Sequence, residues 1–209
     1  MSQGYLTSLV FLLALVVYLV FFVVLMVKYY GSLSVAADGT AFEGKHADWR
    51  VQTITGRVAA RNDQAQATAY ASRYTAMANV THSTTLLLVD EYRRQHSVYL
   101  PGSADDIFIG QVVTACYGVS SGRSYLFAVL NHSARRATVI TQNLNEINGP
   151  RGCLGAVVTV YLFISSGVII YLLLRSSLRE QTARELANGG LDPLWQITRQ
   201  AAQRLSASA

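Results

Sequence analysis

The sequence predicts a membrane protein in which two transmembrane α-helices flank a small α+β extracytoplasmic domain with a mostly antiparallel sheet. Three observations carry that reading. No charged side chain occurs from Met1 to Val27, and none from Gly152 to Leu174. Each stretch is long enough to cross a hydrocarbon core of ~30 Å at about 1.5 Å per residue. Only 14% of the 209 residues are charged against 51% hydrophobic, where a soluble domain carries about 25% charged residues, and the deficit is concentrated in those two stretches. A soluble enzyme, a disordered chain and a polytopic transporter are excluded on these grounds, and the middle of the chain is long enough for one small domain.

Taken in order, residues 1–5 form a short cytosolic N-terminus and residues 6–28 the first span, rich in Leu, Val and Phe. Lys28, Tyr29 and Tyr30 read as an interfacial belt that closes it. Ser34-Val35-Ala36 resembles a cleavage site, but the apolar run exceeds a signal core of about 7–15 residues and no basic region precedes it, so a retained anchor is expected. Residues 29–152 form the extracytoplasmic domain. A strand is expected over 51–58. Asn62 or Asp63 is placed to cap a helix over 64–78, where Tyr70, Tyr74 and Met77 recur at helical spacing. Strands follow at 85–89, 97–100, 107–115, 125–130 and 137–141, separated by Pro101-Gly102, Ser120-Ser121-Gly122 and Asn131-His132-Ser133. Residues 153–174 form the second span, in which Gly155, Ser165, Ser166 and Gly167 would let another helix approach. No Asp, Glu, Lys, Arg or His occurs within 6–27 or 154–174, which argues against a proton or ion path. The tail, 175–209, is cytosolic: a helix to about Ala187, a break at Asn188-Gly189-Gly190, then a helix with Asp192 and Pro193 in its first turn. Leu194, Ile197, Ala201 and Leu205 fall on one face of that last helix, while Arg199 and Arg204 could meet anionic headgroups.

Charge says little about partners. The segment from Lys28 to Arg151 holds 12 basic and 9 acidic residues and the tail 5 and 3, neither of which is the basic stripe that nucleic acid requires. Basic residues near the span ends do not settle orientation. Asn79-Val80-Thr81 and Asn131-His132-Ser133 are both glycosylation acceptors. The only two cysteines, Cys116 and Cys153, both lie on the loop side of the second helix, and an even count there fits an oxidising compartment and one disulfide. These features place the domain outside a two-pass plasma-membrane protein with both termini cytosolic.

Catalytic chemistry is not in evidence. No phosphate-cradling glycine loop, zinc spacing or nucleophile elbow occurs. His46, His82, His96 and His132 are scattered, and His132 reads as solvent-exposed because it sits inside an acceptor motif. Asp105-Asp106 reads as a solvated turn, and Asp90-Glu91 with Arg93-Arg94 as a surface ion-pair cluster. The expectation is a non-enzyme without cofactor, metal, catalytic residue or small-molecule substrate.

Several short motifs resemble the auxiliary β subunits of large-conductance calcium- and voltage-activated potassium channels. Asn79-Val80-Thr81 precedes Leu86-Leu87-Leu88, Tyr99-Leu100-Pro101-Gly102-Ser103-Ala104-Asp105 follows, and Cys116-Tyr117 and Cys153 resemble two of that family's cysteine positions. The likeness covers the whole chain in layout but only residues 79–153 in motif. The additional loop cysteines and the Phe-Trp-Pro entry to the second helix are missing. The resemblance implies a glycosylated accessory subunit that binds the bilayer and a larger channel subunit and modulates its gating. It acts without a pore-plugging N-terminal tether, since five residues reach at most about 18 Å. A membrane-anchored ectodomain for assembly, adhesion or ligand sensing, an envelope glycoprotein included, and a structural subunit of an organellar membrane complex are the rival expectations.

Overall fold

The computed structural model describes residues 8–14, 16–18, 20, 21, 24, 33–71, 76–102, 104–148, 160 and 168–207. The chain divides into two compact units, one of Leu33–Ile147 with Ala183–Ala209, the other of Met1–Ser32 with Asn148–Thr182. In the second unit the described residues of 8–24 are helical, and a helix α2 begins at Val168 and runs to Glu185. Most of the expected second span, and part of the first, lies outside the described residues.

The first unit is built on one six-stranded sheet. Its strands are β1 (Arg50–Ala71), β2 (Ala76–Val89), β3 (Gln95–Pro101), β4 (Val112–Ser120), β5 (Arg123–Asn131) and β6 (Arg136–Val139). They lie in the order β3-β2-β1-β4-β5-β6, and every pairing is antiparallel. A short helix α1 (Thr141–Asn148) follows the sheet. The tail contributes a π-type turn (Leu186–Gly190) and helix α3 (Asp192–Ala207).

Both faces of the sheet are covered, which is why β4 is buried without a break from Val112 to Cys116. One face is closed by the chain ends. Leu33, Phe42 and Trp49 from the N-terminal side, Leu144 and Ile147 from α1, and Leu186, Leu191 and Leu194 from the tail form one apolar cluster with Cys116, Phe127 and Leu130. Phe42 and Phe127 meet edge to face at 5.1 Å. A bulge between Cys116 and Tyr117 leaves Phe127 without a paired residue, so Phe127 and Ala128 both join this cluster. Gly118 permits the close fit of α1, because a Cβ there would stand 2.9 Å from Ile147 Cδ1 and 3.2 Å from Phe42 Cε2. The other face carries Leu86, Leu88, Val98, Leu100, Val113 and Val129. The loop between β3 and β4 covers it with Ala104 and Ile107, and the Arg61 guanidinium holds that loop by donating to their carbonyls at 2.9 and 2.7 Å.

The fold corrects the membrane reading. A span crossed once by residues 153–174 would put residues 29–152 and 175–209 on opposite sides of a bilayer core of ~30 Å. Residues 183–207 instead share one apolar core with the sheet. Among the described residues no helix is long and apolar enough to cross a membrane. The two-pass fold, its plasma-membrane placement and the separate cytosolic tail are therefore withdrawn. The last helix turns Leu194, Thr198, Ala202 and Leu205 onto the sheet rather than onto a lipid leaflet; of the expected stripe only Leu194 and Leu205 are buried, while Ile197 is exposed.

The helix expected over 64–78 is also corrected. Residues 63–71 pair with 76–84 as an antiparallel hairpin. Asp63 caps nothing: its carboxylate takes a hydrogen bond from Thr84 across the strands at 2.8 Å and pairs with Arg61 at 2.8 Å. The expected strands at 85–89, 97–100 and 125–130 fall inside β2, β3 and β5. The one expected at 107–115 begins only at Val112, because Ile107–Gln111 belongs to the covering loop.

Two expectations follow. Leu194→Ala removes a side chain that is fully buried between the tail helix and the sheet and should lower stability by about 2–5 kcal/mol in urea unfolding of the full chain. The turn between β2 and β3 is closed by Asp90, which accepts hydrogen bonds from the Tyr92 and Arg94 amides, the Arg94 guanidinium and the His96 ring. Burial opposes its charge, but those hydrogen bonds outweigh it and hold the carboxyl well below the usual carboxylate range. A depressed carboxyl stabilises the fold fully above the unfolded pKa of about 4 and loses that contribution as pH falls through the folded value. Asp90→Asn should therefore lower the urea midpoint at neutral pH, and the gap to the parent chain should narrow on acidification below about pH 4.

Candidate functional site

Helix α3 lies against β1 and β4, and a groove runs along each of its sides. The larger, of about 690 Å³, is bounded by Trp195, Arg199, Ala202 and Gln203 of α3 and by His132, Ser133 and Arg135 of the turn between β5 and β6. Among the described residues no carboxylate lines it. The smaller, of about 450 Å³, lies between α3, β1 and the Asp90 turn.

The two differ in what their charges already do. In the smaller groove Asp90 is held by Arg94 and His96, and Glu91 pairs with Arg204 at 3.6 Å. In the larger groove neither Arg135 nor Arg199 meets a carboxylate among the described residues. Two cations without counter-charge, facing a concavity with no acid, make the larger groove the candidate site.

The turn that presents Arg135 is built by Asn131. Its amide donates to the Asp106 carbonyl at 2.9 Å and to Gln111 Oε1 at 2.8 Å, and its oxygen accepts the Ala134 N–H at 3.0 Å. The turn closes with Arg135 in the left-handed region at φ +52°, a conformation that costs a non-glycine residue about 1–2 kcal/mol. Asn131 is only 2% exposed, so a glycan does not fit on it in this fold and its glycosylation is withdrawn. Asn79 stands in β2 opposite Thr68, and its side chain lies outside the described residues.

His132 is half-buried rather than solvent-exposed. Its backbone N–H donates to the Val112 carbonyl at 2.9 Å. Its ring Nε2 lies 2.8 Å from Thr114 Oγ1, which in turn lies 2.8 Å from Thr55 Oγ1 on the neighbouring strand. The Trp195 indole packs edge-on against the ring at 5.0 Å. Burial holds the imidazole pKa below its ordinary value, which keeps the ring neutral at pH 7. On the far side, Arg57 donates to the carbonyls of Gly110 and Leu205 and so fixes the end of α3 to β1.

The expected disulfide involves residues that the structure treats unequally. Cys116 is a free thiol, fully buried among the apolar side chains of the first face, and burial pushes its pKa far above the usual thiol range. Such a thiol is a poor nucleophile. Cys153 lies outside the described residues. Among the described residues no cluster of His, Cys, Asp and Glu could hold a metal ion.

No protein-family model, no curated protein and no solved structure matches this chain. The site therefore stands on its own geometry. Sequence reasoning missed it because Arg135 and Arg199 are far apart in the chain and His132 was masked by the acceptor motif around it. The available signal was that the turn and the last helix both carry arginines with no acid within three residues.

Proposed function

We propose that the chain is a binding domain that takes a small anionic ligand in the groove between α3 and the turn joining β5 to β6. The observation that carries this is the pair Arg135 and Arg199, unpartnered among the described residues, on a groove without a carboxylate. Guanidinium groups make strong, directional hydrogen bonds to oxyanions. A groove of about 690 Å³ is of the size that takes a small organic molecule, and Trp195 with Ala137, Ala187 and Ala202 supplies an apolar wall for its uncharged part. This replaces the expectation of no small-molecule ligand.

Binding rather than turnover is favoured by the hydroxyl beside His132. Thr114 is fully buried, and its hydroxyl is enclosed between His132 and Thr55, so it is shielded from a substrate as a nucleophile would not be. The role of a channel accessory subunit rested on the short motifs of residues 79–153 and on two crossings of the bilayer, and the crossings are withdrawn.

Titration of the full chain with sodium sulfate, followed by Trp195 fluorescence and calorimetry, tests the proposal. Saturable binding is expected, and Arg135→Ala with Arg199→Ala should weaken it at least about tenfold, since a hydrogen bond to a charged group contributes about 1.5–3 kcal/mol. Arg123→Ala, at the start of β5, should leave it unchanged. Equal effects of the Arg123 and the paired variants would overturn the assignment. Capture by phosphatidylglycerol vesicles with the same dependence on Arg135 and Arg199 would overturn the small-ligand reading in favour of a headgroup.

A further inference from the structure

Within the groove just assigned, and resting on that assignment, one side chain stands apart from the permanent cations. His132 lines the groove between Arg135 and Trp195, and its ring is not held by charge. On the protein side, Nε2 faces Thr114 Oγ1 at 2.8 Å, and Thr114 faces Thr55 at 2.8 Å. Both hydroxyls can donate or accept, so this short chain fits either direction of hydrogen bonding. With Nε2 occupied, Nδ1 is the ring nitrogen left to meet a ligand.

Three states of the ring follow. If Nε2 carries the proton, it donates to Thr114 and Nδ1 presents a lone pair, which repels an anion. If Nδ1 carries the proton, Nε2 accepts from Thr114, and Thr114 accepts from Thr55. If both nitrogens are protonated, Nε2 donates to Thr114 while Nδ1–H and a full positive charge address the ligand. Only the second and third states suit an oxyanion, and the third adds Coulombic attraction within a partly desolvated site. The Thr114–Thr55 pair satisfies Nε2 in all three, so the ring changes state without leaving a buried polar atom unpaired.

We infer that oxyanion binding in this groove is coupled to the uptake of one proton from solvent by His132. The ligand class is a sulfate- or phosphate-type head, whose oxygens accept from Nδ1–H and from the Arg135 and Arg199 guanidinium groups. The groups facing His132 are few. Its own turn brings Arg135, α3 brings Arg199 and the uncharged Trp195, and β4 and β1 bring only Thr114 and Thr55. Among the described residues no carboxylate lines the groove, so no resident negative charge favours the imidazolium in advance and the ligand itself supplies the counter-charge.

The sign follows from linkage. Without ligand, burial keeps the ring neutral at pH 7. A bound dianion favours the imidazolium, so the bound-state pKa lies above the free one, and affinity rises as pH falls between the two. Sulfate is the probe because it does not titrate in this range. Calorimetry on the full chain from about pH 7.5 to pH 5.5 should show affinity rising by up to about tenfold per unit, with close to one proton taken up per sulfate in buffers of different ionisation enthalpy. His132→Gln, whose amide can reach Thr114, should bind sulfate with little pH dependence. NMR titration of the His132 ring in the unsubstituted chain gives the same answer without a variant: its pKa should rise when sulfate is added. Sulfate binding that is flat across this range, or a pH dependence that survives in His132→Gln, would overturn the coupling while leaving the groove assignment intact. No sulfate binding at any pH would overturn both.

Discussion

The apolar contact between the tail and one face of the sheet is the constraint on which the rest of this molecule depends. Leu186, Leu191 and Leu194 insert among Phe42, Trp49, Phe127 and Ile147, all within the same face of a sheet whose strands come from residues 50–139. Each fully buried leucine is worth roughly 1.5–3 kcal/mol relative to exposure, so three of them rival the net stability of an ordinary domain. The chain must therefore bring residues 183–207 back to the domain that residues 33–147 began. That requirement excludes a single membrane crossing between them.

The groove is a by-product of the same packing. A helix laid on a twisted sheet touches it along one stripe and diverges on either side. The stripe here is Leu194, Thr198, Ala202 and Leu205. On one flank the Asp90 turn closes in with its charges internally paired. On the other, the turn after β5 is held away by Asn131, whose buried amide ties it to the loop between β3 and β4. The left-handed Arg135 and the helical Arg199 then face one concavity. Small side chains at Ala137, Ala187 and Ala202 leave room beside Trp195. The function proposed rests on the local charge balance of this concavity rather than on the surplus of 17 basic over 12 acidic residues in the whole chain.

How much of this was legible in the sequence differs from element to element. The strands at 97–100 and 125–130 and the helix start at Asp192-Pro193 were legible because local chemistry decides them. The break at Asn188-Gly189-Gly190 was equally plain, and Gly189 does take φ +127°. The hairpin of 63–84 was misread because Tyr70, Tyr74 and Met77 matched helical spacing, while Gln64-Ala65-Gln66-Ala67-Thr68-Ala69-Tyr70-Ala71 alternates with period two, the stronger signal over eight residues. The destination of the last helix was not legible at all: an apolar stripe records that something covers it, not whether that is lipid, a partner or its own domain. His132 and Asn131 were read through the acceptor motif they share, when their polar atoms are instead engaged by the fold. The two charge-free stretches are a true feature of composition, but their length alone carried a topology that the shared core does not allow.

The most direct test of that shared core is the nuclear Overhauser contact between the rings of His132 and Trp195 in the full chain, with the Trp195 signals assigned by Trp195→Phe. The rings belong to the sheet domain and the tail respectively, and their centroids lie 5.0 Å apart. Cross-peaks between them are the result this account predicts. Sharp, assigned resonances from both rings with no cross-peak would place the tail elsewhere, and with it would go the core, the groove and the ligand.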